Sequence, residues 1–202
     1  MALSLKTPPA SLATLMLQDV CDHLRRVAML DAEPAIAPPD LAHIERLIAS
    51  AVSALDGPDS KTRRALLTQT WTATFDYFAP ELPLLLPPVQ SITSVKYVDT
   101  DGALQTADDG TYTLHGAASW DPIIAPTYGE SWPATRAEAG AVTVEFIAGY
   151  GDTVADIPAP LLQAIRQMVA EFYETREGLG WSSPSELPHG VRSLVQPYRI
   201  YR

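Results

Sequence analysis

Leu67-Thr-Gln-Thr-Trp71-Thr-Ala-Thr-Phe75-Asp-Tyr77 is the stretch on which the fold turns. Leu67, Trp71, Ala73, Phe75 and Tyr77 fall on one side of a period-two pattern, and Thr68, Thr70, Thr72, Thr74 and Asp76 fall on the other. That alternation is the signature of a half-buried strand. Residues 91–99, 103–106, 111–115 and 141–147 repeat the signal, with Asp101-Gly102 and Asp109-Gly110 as turn dipeptides between the first three. A small antiparallel β module is therefore expected over residues 61–152. Residues 116–140 carry Trp120, Trp132 and several glycine or proline breaks with little periodicity, which predicts a long loop anchored by its tryptophans.

Outward from this module the period changes to that of a helix. Upstream, Leu12, Leu15, Met16, Val20, Leu24 and Val27 recur at helical spacing behind Ser11, a suitable N-cap. The segment 33–39 contains Pro34, Pro38 and Pro39 and breaks that helix into a stiff loop. Asp40 then offers a cap to a second helix with the stripe Leu41, Ile44, Leu47, Ile48, Ala51, Val52 and Leu55, closed by Gly57-Pro58. Downstream, Leu161, Leu162, Ile165, Met168, Val169, Phe172 and Tyr173 mark a third helix ended by Gly178. Burial of each such side chain contributes roughly 1.5 to 3 kcal/mol, so packing and not propensity holds this helix. The tail, with Pro184, Pro188 and Pro197, reads as extended.

The fold class that follows is α+β. Two N-terminal helices (residues 1–60) and a long C-terminal helix (153–180) form a helical bundle, a small antiparallel β module (61–152) is inserted, and an extended C-terminal arm (181–202) completes the chain.

Composition narrows the function. The 202 residues are 47% hydrophobic, enough for a core, and carry a formal charge of −10. That acidity argues against gripping phosphate backbones, which takes clustered Lys and Arg. Asp19, Asp22, His23, Arg25 and Arg26 interrupt the most hydrophobic early segment, so no membrane span is expected. A lone Lys6 followed by Pro8 and Pro9 is unlike a secretory signal, so synthesis in the cytoplasm is expected. The single cysteine, Cys21, reads as core filler.

Catalytic and ligand-binding patterns are scarce. The four histidines, His23, His43, His115 and His189, lie in separate segments without metal-ligand spacing, and no metal site is expected. Asp99-Thr100-Asp101-Gly102 opens like a calcium loop, but an EF-hand would need glycine at Leu104 and glutamate at Gly110, so it reads as a hairpin turn. Gly149-Tyr150-Gly151-Asp152 lacks the lysine or third glycine of a phosphate cradle and reads as a strand-to-helix turn. Glu171 and Glu174 sit on the polar side of an amphipathic helix. No enzyme and no cofactor are expected. The tail stands out instead: it has no acid after Glu186, and it combines Arg192, Arg199 and Arg202 with Val191, Leu194, Val195, Tyr198, Ile200 and Tyr201. A merely solvated terminus gains nothing from so many apolar groups, which favours a docking arm.

Several motifs in order give the chain a resemblance to a family. They are Arg64-Ala-Leu-Leu-Thr-Gln-Thr-Trp71, Leu86-Pro-Pro-Val-Gln-Ser-Ile-Thr-Ser-Val-Lys-Tyr-Val-Asp99, Trp132-Pro-Ala-Thr-Arg136 and Gly140-Ala-Val-Thr-Val-Glu-Phe-Ile-Ala-Gly-Tyr-Gly151. Ile157-Pro-Ala-Pro-Leu-Leu-Gln-Ala-Ile165, Phe172-Tyr-Glu-Thr-Arg-Glu177, Glu186-Leu-Pro-His-Gly190 and Pro197-Tyr-Arg199 continue the series. The chain thus resembles the head-tail connector (neck adaptor, or head completion) proteins of tailed bacteriophages, prophages and gene transfer agents. The resemblance implies a subunit of a dodecameric ring in the neck of a virion or phage-like particle, made in the host bacterial cytoplasm. Its implied partners are copies of itself, the portal protein and a stopper or tail-terminator protein, with DNA passing through the channel unbound. It further implies portal contacts at Val191, Arg192, Leu194, Val195, Tyr198, Arg199, Ile200, Tyr201 and Arg202. The alternative expectation is a β-module binding protein of a tail or surface, recognising carbohydrate or protein through Trp120, Tyr128 and Trp132.

Overall fold

A computed structural model describes residues 1–28, 38–174 and 189–201, with side chains described for all of these except residues 25–28, 38–40 and 189. The chain divides into two compact units, one built from Met1–Ala10 with Arg63–Asp152 and the other from Ser11–Thr62 with Thr153–Arg202. The fold is α+β, with helices and antiparallel sheets held in separate parts of the chain.

The first unit is all β. Strands β1 (Ala2–Thr7), β2 (Gln69–Phe75), β3 (Leu82–Pro83), β4 (Val89–Val98), β5 (Leu104–Thr106), β6 (Tyr112–His115), β7 (Ile123–Pro126) and β8 (Val142–Ala148) form two sheets. The larger runs β1-β2-β8-β4-β5 and the smaller β3-β7-β6, and every pairing between strands is antiparallel. The alternation read in residues 67–77 holds through Phe75: Trp71, Ala73 and Phe75 are buried while their threonine neighbours are half-buried. Tyr77 leaves the pattern, since the strand ends at Phe75 and Tyr77 is exposed.

Across β2, the central strand β8 sets Phe146 opposite Trp71 and Val144 opposite Ala73. These side chains share one core with Val89 and Val95 of β4, Leu82 of β3, Tyr112 of β6 and Ile124 of β7. Gln69, buried beside them, is satisfied: its side-chain carbonyl accepts from Trp71 Nε1 at 2.9 Å and its amide donates to the Leu67 carbonyl at 3.3 Å. The pairing of β4 with β8 shifts register between Val89 and Ser91 and again between Ile92 and Ser94. Such bulges bend a strand and increase its local twist.

Three strands were not expected from sequence. β1 lies in residues 1–10, which sequence reasoning grouped with the helices; here it is an edge strand with Leu3 turned to the core and Lys6 paired to Glu145 at 2.6 Å. β3 and β7 fall in stretches rich in proline, and β7 replaces part of the loop anticipated over residues 116–140. The two tryptophans of that stretch divide. Trp132 stacks on Phe78, with ring centroids 4.4 Å apart, and lies 6.3 Å from Tyr112, whereas Trp120 is exposed.

The second unit contains α1 (Leu12–Ala28), α2 (Pro38–Leu55), α3 (Ala159–Glu174) and α4 (His189–Val195). The stripes meet as their spacing requires: Met16, Val20 and Cys21 of α1, Ile44, Ile48 and Ala51 of α2, and Leu161, Ile165 and Val169 of α3 are all buried. Leu15 of α1 and Phe172 of α3 are exceptions and are exposed. Ser11 caps α1 through its hydroxyl, which accepts the Thr14 amide at 3.3 Å. α2 starts at Pro38, two residues before the expected cap at Asp40, because proline suits the first turn of a helix. Gly57, at φ 97°, ends it as expected. Thr14 donates to Glu45 at 2.9 Å, tying α1 to α2, and Arg166 pairs with Asp19 at 2.8 Å, tying α3 to α1. Of the stiff loop expected at 33–39, Pro38 and Pro39 belong instead to the first turn of α2, and residues 33–37, like the stop at Gly178, lie outside the described residues.

Short turns connect strand to helix. A Cβ on Gly149, at φ 129°, would be driven into the Leu67 carbonyl, so the chain can turn there only on glycine. The Tyr150 amide donates to the Leu66 carbonyl at 3.0 Å and the Thr68 amide to Gly151 at 2.9 Å. Thr153 and Asp156 then form a reciprocal capping box, and α3 follows. The reading of this segment as a strand-to-helix turn agrees with that geometry.

Candidate functional site

The tail is where sequence placed the functional residues, and its described part is not extended. α4 spans His189–Val195 and a 3-10 turn follows at Gln196–Tyr198. Val191 and Val195 are four apart, the spacing of one helix face, and the flanking prolines that suggested an extended arm permit a helix that begins after Pro188. Gly190 lets α4 approach α3 closely, since a Cβ there would meet the Gln167 side chain at 3.3 Å.

This packing sorts the proposed portal contacts into two sets. Val191, Val195 and Ile200 are buried, at 1%, 2% and 5% exposure. Leu194 and Tyr198 are half-buried. Arg192, Arg199 and Tyr201 face solvent, and Arg202 lies outside the described residues. Ile200 is held by its backbone as well: its amide donates to the Thr62 carbonyl at 3.2 Å. Thr62 is itself fully buried, and its hydroxyl donates to the carbonyl of Leu55 at the end of α2. The tail thus closes over the C-terminus of α2. Arg192 of α4, Gln196 of the 3-10 turn and Arg199 just beyond it are exposed, and the Arg199 guanidinium lies 5.0 Å from the centre of the Tyr201 ring.

The aromatic trio considered for carbohydrate is not brought together. Trp120 lies in the connection before β7 and Tyr128 beyond its other end, and both are exposed. Trp132 is committed to its stack with Phe78. An open depression of about 440 Å³ is lined by residues including Asp76, Tyr77, Arg136 and Glu138. Its polar groups serve the fold: Asp76 accepts the Gly140 amide at 2.8 Å, the Arg136 amide donates to Val98 at 3.0 Å, and Arg136 approaches Glu138 at 3.6 Å.

The hairpin turn at Asp99 is also built as a turn. One carboxylate oxygen accepts the amides of Asp101 and Ala103 at 3.0 and 2.9 Å, and the other accepts Gln105 at 2.8 Å. These bonds, that from Gln105 foremost, hold the Asp99 carboxyl below its usual value. His43 packs against Tyr173, with ring centroids 6.4 Å apart, and His115 ends β6 in solvent. Among the described residues no group of three His, Cys, Asp or Glu side chains could hold a metal ion. No described helix is long and apolar enough to cross a membrane.

No family model matches the chain, and no curated protein matches it. Solved structures do. A chain in the virion of a native gene transfer agent particle is 25% identical, with a TM-score of 0.76 over all of this chain and 97% of that one. A chain in the neck of an empty gene transfer agent particle, computed with C6 symmetry, is 23% identical with a TM-score of 0.74 over the same shares. A third, in the neck of the native particle computed with C12 symmetry, is 23% identical with a TM-score of 0.69, again covering 100% and 97%. From end to end, the chain shares the fold of chains built into these particles.

Proposed function

We propose that this protein is a structural subunit of the neck of a gene transfer agent or phage-like particle, joining head to tail, and that it is not an enzyme. The observation that carries this reading is the shared fold over the whole of this chain and 97% of chains from a gene transfer agent virion and its neck. Both units and the tail are included in that match.

In this reading the chain is an adaptor. Copies form a ring of twelve against the portal protein, their other face receives a stopper or tail-terminator protein, and DNA passes through the middle. A ring of identical subunits needs two different, complementary faces on each copy. A formal charge of −10 keeps free copies apart until the portal provides a template. The same acidity suits a channel wall, because few phosphate-neutralising groups release few counterions and DNA slides without adhering.

The tail from residue 187 onward is the portal-binding element. The test is binding of the full chain and of a chain lacking residues 187–202 to the purified portal ring of the same particle, with circular dichroism to verify that the truncated chain keeps its folded β unit. The full chain is expected to bind and the truncated chain to fail. Undiminished binding by the truncated chain would contradict the assignment of the tail.

A further inference from the structure

We infer that the tail docks by its outward, cationic face, on an acidic protein surface, while its apolar side chains stay packed within this chain. The inference rests on the proposed portal-binding role of the tail and adds which side of it binds and to what chemistry.

The argument starts from burial. Val191, Val195 and Ile200, the residues that most suggest a sticky arm in sequence, are already covered by the helical unit. Ile200 is tied further by the bond from its amide to Thr62, and Gly190 sets α4 tightly against Gln167. A partner that needed these side chains would first have to strip them from their own core. What the tail offers without unfolding is its exposed side chains: Arg192, Ser193, Gln196, Arg199 and Tyr201. No acidic residue occurs anywhere after Glu186, in a chain whose formal charge is −10.

Charge and side-chain type identify the partner. A cationic face on an otherwise acidic molecule is complementary to a second acidic surface and orients the molecule toward it during encounter. Arginine and tyrosine are the residue types that anchor protein interfaces, and the Arg199 guanidinium lies 5.0 Å from the centre of the Tyr201 ring. Duplex DNA is the poorer match, because two described arginines on an acidic body neutralise few phosphates.

The experiment measures binding of the full chain to the portal ring at two salt concentrations, for the wild type, for Arg192→Glu with Arg199→Glu, for Arg192→Lys with Arg199→Lys, and for the chain lacking residues 187–202. Both arginines are solvent-facing, so the charge-reversed chain should melt like the wild type. It is expected to bind about 100-fold more weakly, the lysine pair is expected to recover part of that loss, and wild-type binding is expected to weaken as salt rises. If truncation abolishes binding but charge reversal leaves it intact, the tail docks by another face and this inference falls while the proposed function stands. If truncation has no effect, the tail's assignment falls and this inference with it. If charge reversal abolishes binding to a short DNA duplex, or self-assembly into rings, and spares portal binding, the face belongs to nucleic acid or to a neighbouring copy and the inference is overturned.

Discussion

Individual residues carry the most exacting demands of this fold, and two of them make measurable predictions. Gly149 occupies φ 129° with the Leu67 carbonyl where a Cβ would lie. Gly149→Ala should destabilise the protein by about 2 to 4 kcal/mol, read as a lowered urea midpoint, since it combines left-handed strain with a backbone clash. A change below experimental error would mean that this turn is looser than described. Tyr112 supplies a test against pH. Burial first, and then the bond from its phenol to Asp109 at 3.0 Å, raise its pKa from 10.0 to about 12. The unfolded chain therefore loses this proton at lower pH than the folded one, so the neutral phenol stabilises the fold below pH 10 and that contribution is lost as pH rises to about 12. Ultraviolet titration should show a late tyrosine that is absent from Tyr112→Phe. The sequence showed Gly149 only as part of a turn, because it is the approach of residues 66–68 from far along the chain that forbids a side chain there.

At the scale of elements, α4 is the clearest test. It is only 7 residues long, too short to persist alone, so its order comes from Val191 and Val195 in the helical unit. Val195→Asp should cost about 3 kcal/mol or more by placing an unpaired carboxylate in that core, whereas Arg192→Glu on the outer face should stay within about 0.5 kcal/mol. Equal effects in thermal melts would deny that α4 is docked. Elements with a strong period were legible from residues alone: the stripes of α1, α2 and α3 and the alternation of β2 and β8 each announce a buried face. Weaker elements were not. β1 turns only Leu3 toward the core and otherwise faces solvent, so its six residues show no convincing alternation. Pro83 of β3 and Pro126 of β7 read as breaks, although proline is tolerated on an edge strand such as β3 and Pro126 is only the last residue of the middle strand β7. In the tail, Pro188 and Pro197 outweighed the four-residue interval between Val191 and Val195, and the helix went unread. The candidate site was legible as a segment but not as a surface, because which of its residues are used internally depends on Thr62, Leu55 and Gln167, remote in sequence.

The whole molecule combines an acidic chain, two compact units and a tail folded back on the helical one. The polar clusters described at Asp99, Asp76 and Thr153 each satisfy a turn or a cap. What the surface offers instead is contact: exposed Trp120, Tyr128 and Leu104 on the β unit and the arginines of the tail. Under the proposed function, neighbouring subunits and a portal would cover these groups. The most direct test is a cryo-electron microscopy reconstruction of the intact native particle. The account predicts a ring of this fold at the neck, with the Arg192 and Arg199 side of each tail against the portal. Purified, complete particles that lack this chain altogether, with the protein recovered only as a lone monomer outside them, would contradict it.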